Sequence, residues 1–219
     1  MTTIIDGPYL VTDTEIARAA GHNDLAALAQ AAAAAGITTV QIREKDAPAR
    51  DFLAVVESVA AVLPEGTRLL VNDRIDVYLA ARANGARVHG VHIGQSDLPV
   101  ALVRTLIGPD AILGLSAARP EEIRAAEASG VVDYLGIGAV HATTTKKDAP
   151  APLGLDGFAE RRARTTLPVV AIGGLGPDDA AVLRRAGADS MAVVSLICAA
   201  ADPAAAAAQL HSAWMEALP

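Results

Sequence analysis

Cysteine occurs once in this chain, at Cys198, so an internal disulfide is excluded and the protein suits a reducing compartment. Aromatic residues are also scarce, at 3%, so a core of this size must be built from aliphatic side chains. No apolar run approaches the roughly 18 residues a membrane helix needs. The start, "MTTIIDGPYLVTD", lacks a basic segment leading into an apolar one, so no secretory leader is expected. A basic block is missing too: 18 Lys and Arg against 25 Asp and Glu leave a net charge of −7. That balance argues against nucleic-acid and anionic-membrane partners. These absences together predict a soluble cytoplasmic protein, in which a local positive cluster would serve a small anionic ligand.

What is present is apolar and periodic. Hydrophobic residues make up 52% of the 219, enough for a sizeable core and too many for disorder. Short Val/Ile/Leu runs alternate with Ala-rich stretches of helical length. The expected strands are 8–11, 38–43, 68–72, 89–93, 111–116, 133–138, 168–173 and 190–195. The expected helices are 24–36, 49–63, 74–85, 99–108, 120–130, 155–164, 177–187 and 202–218. Pro120 and Pro177 stand where a first helical turn tolerates proline, and Gly36, Gly85, Gly108, Gly130 and Gly187 follow helical stretches. Eight strand–helix pairs with short connections predict an α/β protein with a parallel sheet closed into a (β/α)8 TIM barrel, one domain over 1–219. A doubly wound dinucleotide fold would want G-x-G-x-x-G after the first strand. The nearest text, "GIGAVH" at 136–141, follows the sixth strand and carries His141 in place of the last glycine.

In such a barrel, function resides at the C-terminal strand ends. Those ends read "QIREKD", "NDR", "GQSDLP", Ser116, "HATTTKK", "GGLG" and Ser195, so the unusual polar chemistry gathers on one rim. The glycine-rich turn 172–176 beside the eighth strand end is where these barrels commonly hold phosphate, and the same glycines also suit a tight turn. Asp73 and Asp97 follow neighbouring strands and could share one Mg²⁺, which takes one or two carboxylates plus phosphate oxygens. Equally, Asn72, Asp73 and Asp97 could cap the helices that follow. Arg43, Lys45 and Lys146 are ordinary solvated charges taken singly. Facing one cleft with two carboxylates and a glycine turn, they suit a polyphosphate. His89 and His92 are three apart on a strand, so they face opposite ways and cannot pair on zinc; one could line the barrel interior. Ser116 has no nucleophile-elbow context, Cys198 and Trp214 read as packing, and no lysine stands inside a strand for a Schiff base.

The segments "YLVTD", "VQIREKD", "VNDRIDV", "GVHIGQSDLP", "LGLSA", "TTTKKDA", "AIGGL" and "AVVS" resemble, in order and spacing over nearly the whole chain, the thiamine-phosphate synthase family. These transferases join an aminopyrimidine carried as its methyl diphosphate to a thiazole phosphate, releasing diphosphate. The resemblance implies that Gln41, Ile42, Arg43, Glu44 and Lys45 bind the pyrimidine diphosphate, with Arg43 and Lys45 on its phosphates. It places Asn72, Ser116 and Lys146 on the same substrate, and Arg43, Lys45, Lys146 and Ser116 at the reaction itself. It assigns Asp73 and Asp97 to Mg²⁺. Thr143, Thr144, Thr145, Gly174, Val194 and Ser195 would hold the thiazole phosphate. His141 stands where the family often has an aromatic, and "SGVVDY" runs about one residue long. Two other readings are a thiazole tautomerase on the same barrel and a non-catalytic binder of a thiamine precursor. The intact Asp73, Asp97, Arg43, Lys45 and Lys146 set argues against both. Homo-oligomerisation is left open.

Overall fold

The computed structural model describes residues 5–143 and 151–217. Eight parallel strands among these residues hydrogen-bond in chain order, and the last pairs with the first to close a barrel. They are β1 (Gly7–Val11), β2 (Thr39–Ile42), β3 (Arg68–Asn72), β4 (Gly90–Ile93), β5 (Ile112–Ser116), β6 (Tyr134–Ile137), β7 (Val169–Ile172) and β8 (Ser190–Val193). The intervening helices are α1 (Thr14–Ala19), α2 (Leu25–Ala34), α3 (Ala49–Val62), α4 (Ile75–Ala83), α5 (Val100–Ile107) and α6 (Pro120–Ser129). They continue with α7 (Gly154–Arg162), α8 (Ala180–Arg185), α9 (Ser195–Cys198) and α10 (Pro203–Glu216).

All eight expected strands are present, and the expected helices end one or two residues short, α7 alone starting one residue early at Gly154. Two short helices were not foreseen. In α1, Asp13 caps the first turn by accepting from the Ile16 amide at 3.1 Å. The other, α9, begins at Ser195, a residue the sequence pattern assigns to the end of β8; that strand stops at Val193. The expected 177–187 helix starts as a 3₁₀ turn, Pro177–Asp179, before α8. Among the described residues, no helix is long and apolar enough to cross a membrane.

Two cores result. The larger lies between the sheet and the helices and buries Phe52, Phe158, Leu183, Leu210 and Trp214 with outward-facing strand residues such as Ile42, Val71 and Ile137. The smaller fills the barrel lumen with Ile5, Tyr9, Val11, Leu70, Ile112, Tyr134, Val170 and Ala192. Such interiors are usually packed with branched aliphatics. Here two tyrosines occupy the lumen, and Gln41 and His92 are buried with them.

Candidate active site

The C-terminal strand ends assemble the rim from the β1 side onward. Thr12 and Asp13, just after β1, secure the segment after β2: the Arg43 amide donates to Thr12 Oγ1 at 3.1 Å, and Arg43 Nη1 pairs with Asp13 Oδ2 at 3.3 Å. Thr14 donates to the Glu44 carboxylate, while Lys45 stands exposed on the same loop. Ile42 is buried in the outer core, so only its backbone can meet a ligand. Gln41 points inward, its Nε2 donating to Tyr9 O–H at 2.6 Å.

Past β3 and β4, the two carboxylates meet. Asp73 has φ +60°, a conformation uncommon for any residue but glycine, and one that aspartate tolerates better than most. Asn72 Nδ2 donates to Asp73 Oδ2 at 2.6 Å, and the Gly94 amide donates to Asp97 Oδ2 at 2.6 Å. Neither acid caps a helix: Arg74 and Pro99 occupy the cap positions of α4 and α5, without a capping side-chain bond. Although Asp73 is exposed as a residue, its carboxyl group is crowded by the surrounding loop. That loss of water, followed by the charge of neighbouring Asp97, pushes it up to about 6, against a lowering by Asn72 and Arg43.

This crowding is the test of whether a cation fits. Two carboxylates pressed together on adjoining strands repel each other, and a divalent cation between them would remove the repulsion. Among the described residues, no three His, Cys, Asp or Glu side chains stand together so that they could hold a metal ion. The two carboxylates among the described residues suit Mg²⁺, which keeps waters and takes phosphate oxygens besides one or two carboxylates.

Farther round, Ser116 ends β5 with its Oγ 2.9 Å from His92 Nε2, and its carbonyl accepts from Gln95 Nε2 at 2.7 Å. Of the expected threonines, Thr143 is half-buried. Thr144, Thr145 and Lys146 lie outside the described residues. After β7, Gly174 adopts φ +67°, and a Cβ there would meet the Ala142 carbonyl at 2.7 Å and His141 Cβ at 2.9 Å. Only glycine fits both that backbone and that space. His141 Nε2 lies 2.8 Å from Asp179 Oδ1, and Asp179 Oδ2 accepts from the Gly176 amide at 2.9 Å. Val194 is half-buried at the start of α9, and Ser195 is exposed beside it.

The sequence reading missed Thr12, Asp13, Gln95, Tyr9 and Tyr134. Its one available signal for the last two was that the chain has only three tyrosines and two fall within strands. The rest is visible only once the barrel closes.

A parallel (β/α)8 barrel with paired acids, an arginine and a constrained glycine turn on one rim has the layout of the barrel enzymes, whose sites lie at this end and often hold phosphate. A family model described as thiamine monophosphate synthase matches residues 8–197, and the chain belongs to that family. It is 47% identical over 210 residues to the thiamine-phosphate synthase of Xanthobacter autotrophicus, covering 95% of each chain. It is 42% identical over 204 residues to that of Moorella thermoacetica, covering 93% of each. Among solved structures, thiamine phosphate pyrophosphorylase from Pyrococcus furiosus superposes with a TM-score of 0.84 at 31% identity, covering 97% of each chain. A 3-hexulose-6-phosphate synthase at 18% identity and TM-score 0.68 shares the fold.

Proposed function

We propose that this rim catalyses thiamine phosphate formation, joining the methyl diphosphate of an aminopyrimidine to a thiazole phosphate with release of diphosphate. The observation that carries the reading is the convergence of Asp73, Asp97 and Arg43, on the same strand-end rim as Ser116, in a barrel belonging to this family. Arg43, Lys45 and Lys146 supply the cations for the diphosphate; each close cation–phosphate pair is worth roughly 4 kcal/mol in a surface-like dielectric. Mg²⁺, held by Asp73 and Asp97, would neutralise further charge on the departing group. Gln41, Ile42, Glu44, Asn72 and Ser116 complete the pyrimidine diphosphate subsite. Thr143, Thr144, Thr145, Gly174, Val194 and Ser195 hold the thiazole phosphate.

The chemistry needs charge neutralisation more than proton transfer. The electron-rich aminopyrimidine expels diphosphate as its exocyclic C–O bond breaks, leaving a ring-stabilised cation. The thiazole nitrogen then donates its lone pair to form the C–N bond, with no proton to remove. The protein's tasks are therefore to hold both partners in line, a contribution worth up to about 7–11 kcal/mol, and to keep water from the cation. Asp13 contributes by fixing Arg43 through its carboxylate. A cytoplasmic location goes with this reading, since phosphorylated substrates of this kind do not cross membranes unaided.

Diphosphate release from the pyrimidine substrate tests the reading, measured with and without thiazole phosphate, in Mg²⁺ and in chelator. Release that requires both thiazole phosphate and Mg²⁺, with thiamine phosphate as product, is expected. Interconversion of thiazole tautomers without release would overturn the reading in favour of an isomerase.

A further inference from the structure

A hydrogen-bonded chain crosses the lumen beneath the rim. Gln41 Nε2 on β2 donates to Tyr9 O–H on β1 at 2.6 Å, and Tyr9 meets Tyr134 O–H on β6 at 3.0 Å. Tyr134 lies 2.8 Å from His92 Nδ1 on β4, and His92 Nε2 lies 2.9 Å from Ser116 Oγ at the end of β5. Five strands thus contribute one member each, and four of the five side chains are buried.

The polarity of this chain follows from its first member. An amide N–H₂ can only donate, so Tyr9 accepts from Gln41 and has its single proton left for Tyr134. Tyr134, having accepted, donates its own proton to His92 Nδ1. An imidazole that accepts at Nδ1 carries its proton on Nε2, and that proton points at Ser116 Oγ. Ser116 therefore accepts from below, and its own O–H is left to donate upward into the cleft. Reversing the polarity would consume the serine proton inside the barrel and leave the cleft an acceptor.

Space for this arrangement is provided by glycine. A Cβ on Gly114 would collide with the Tyr134 ring, and one on Gly136 would stand 3.1 Å from His92 Cε1. The rings themselves pack at tilted angles, His92 and Tyr134 with centroids 5.4 Å apart, Tyr9 and Tyr134 6.4 Å apart. Buried polar groups in an otherwise apolar lumen cost stability unless every member is satisfied, and a one-directional chain satisfies them in sequence.

We infer that His92 is a positioning residue, held as the Nε2–H tautomer by the Gln41–Tyr9–Tyr134 chain, which turns the Ser116 hydroxyl into a hydrogen-bond donor toward an acceptor atom of the bound pyrimidine substrate. The inference rests on the synthase reading for the identity of that substrate. The tautomer itself does not.

Two measurements test it. In ¹⁵N-labelled protein, the His92 imidazole, one of five histidines and assigned by its loss in His92→Gln, should show a protonated Nε2 and an unprotonated Nδ1 at neutral pH. Tyr134→Phe, which removes the donor to Nδ1, should abolish that preference. A protonated Nδ1 in the wild type would overturn the inference whatever the enzyme's activity. In kinetics, His92→Asn keeps an acceptor near Tyr134 but cannot reach Ser116. It should lower kcat/KM for the pyrimidine diphosphate about tenfold, the scale of one hydrogen bond to substrate, with KM for thiazole phosphate unchanged. His92→Gln, whose amide N–H₂ extends to the place of Nε2, should recover most of that loss. Adding His92→Asn to Ser116→Ala should cost nothing more, because the histidine acts through the serine. An undiminished tenfold loss in the Ser116→Ala background, or none in the wild type, would overturn it. A wild-type protein that releases no diphosphate would instead overturn the synthase reading, and the tautomer measurement would still decide the chain.

Discussion

The two cores of this barrel are built on opposite principles. Between sheet and helices, the packing is apolar: Trp214, Phe52 and Phe158 are fully buried, and Arg184 stacks over the Trp214 ring at 4.6 Å. Inside the lumen, set among aliphatic residues such as Ile5, Leu70 and Ile112, four side chains carry hydroxyl, amide and imidazole groups that bond to one another and finish at Ser116 on the rim. The outer core holds the strands together, and the inner one aims a side chain at the cleft. Burial in the same molecule therefore serves stability in one place and orientation in the other.

Trp214→Ala should break the outer core most severely, costing about 3–5 kcal/mol by denaturant unfolding while leaving kcat near normal wherever the protein remains folded. A proportionate loss of kcat would erase the distinction between the cores. Lys146→Ala should do the reverse, lowering turnover about 10²-fold with an unchanged unfolding midpoint, as removal of one stabiliser of developing charge does. Near-normal turnover would remove that lysine from the site. Mg²⁺ at ten times its dissociation constant should stabilise the substrate-free protein by about 1.4 kcal/mol, a rise of roughly 3–6 °C in thermal midpoint. Asp73→Asn and Asp97→Asn should each abolish this rise. Neither should destabilise the metal-free protein much at neutral pH, since each removes a repelling charge. A retained Mg²⁺ shift would move the cation elsewhere. At the bottom of the scale, Asp76→Asn breaks an exposed pair with Arg74 of 2.6 Å and should change stability by less than about 0.5 kcal/mol.

The barrel was legible in the sequence because each strand is a short apolar run bounded by glycine, proline or acid, and each main helix is long enough to repeat. Helices α1 and α9, six and four residues long, are below the length at which periodicity is visible. Asp73 and Asp97 were legible as a pair, but choosing between cap and cation required the observed cap positions at Arg74 and Pro99. The opposite facing of His89 and His92 followed from strand alternation. That His92 is the inward one, while His89 Nδ1 accepts from the Leu69 amide at 2.9 Å, needed the register of the closed sheet. Tyr9 and Tyr134 were invisible for a different reason. Tyrosine is an ordinary strand residue, and these two lie 125 positions apart until closure brings their hydroxyls together.

Cys198 ends α9, the short helix that begins with Ser195, and its thiol faces the Val11 carbonyl of β1 at 4.0 Å. Burial holds that thiol up to about 11, which disfavours the reactive thiolate near neutral pH, and the residue is shielded from solvent. Being the chain's sole cysteine, it is a built-in clock at the place where the last strand meets the first. The rate at which an alkylating reagent captures it counts how often the barrel's seam breathes open, with no engineered label and no second site to confuse the count.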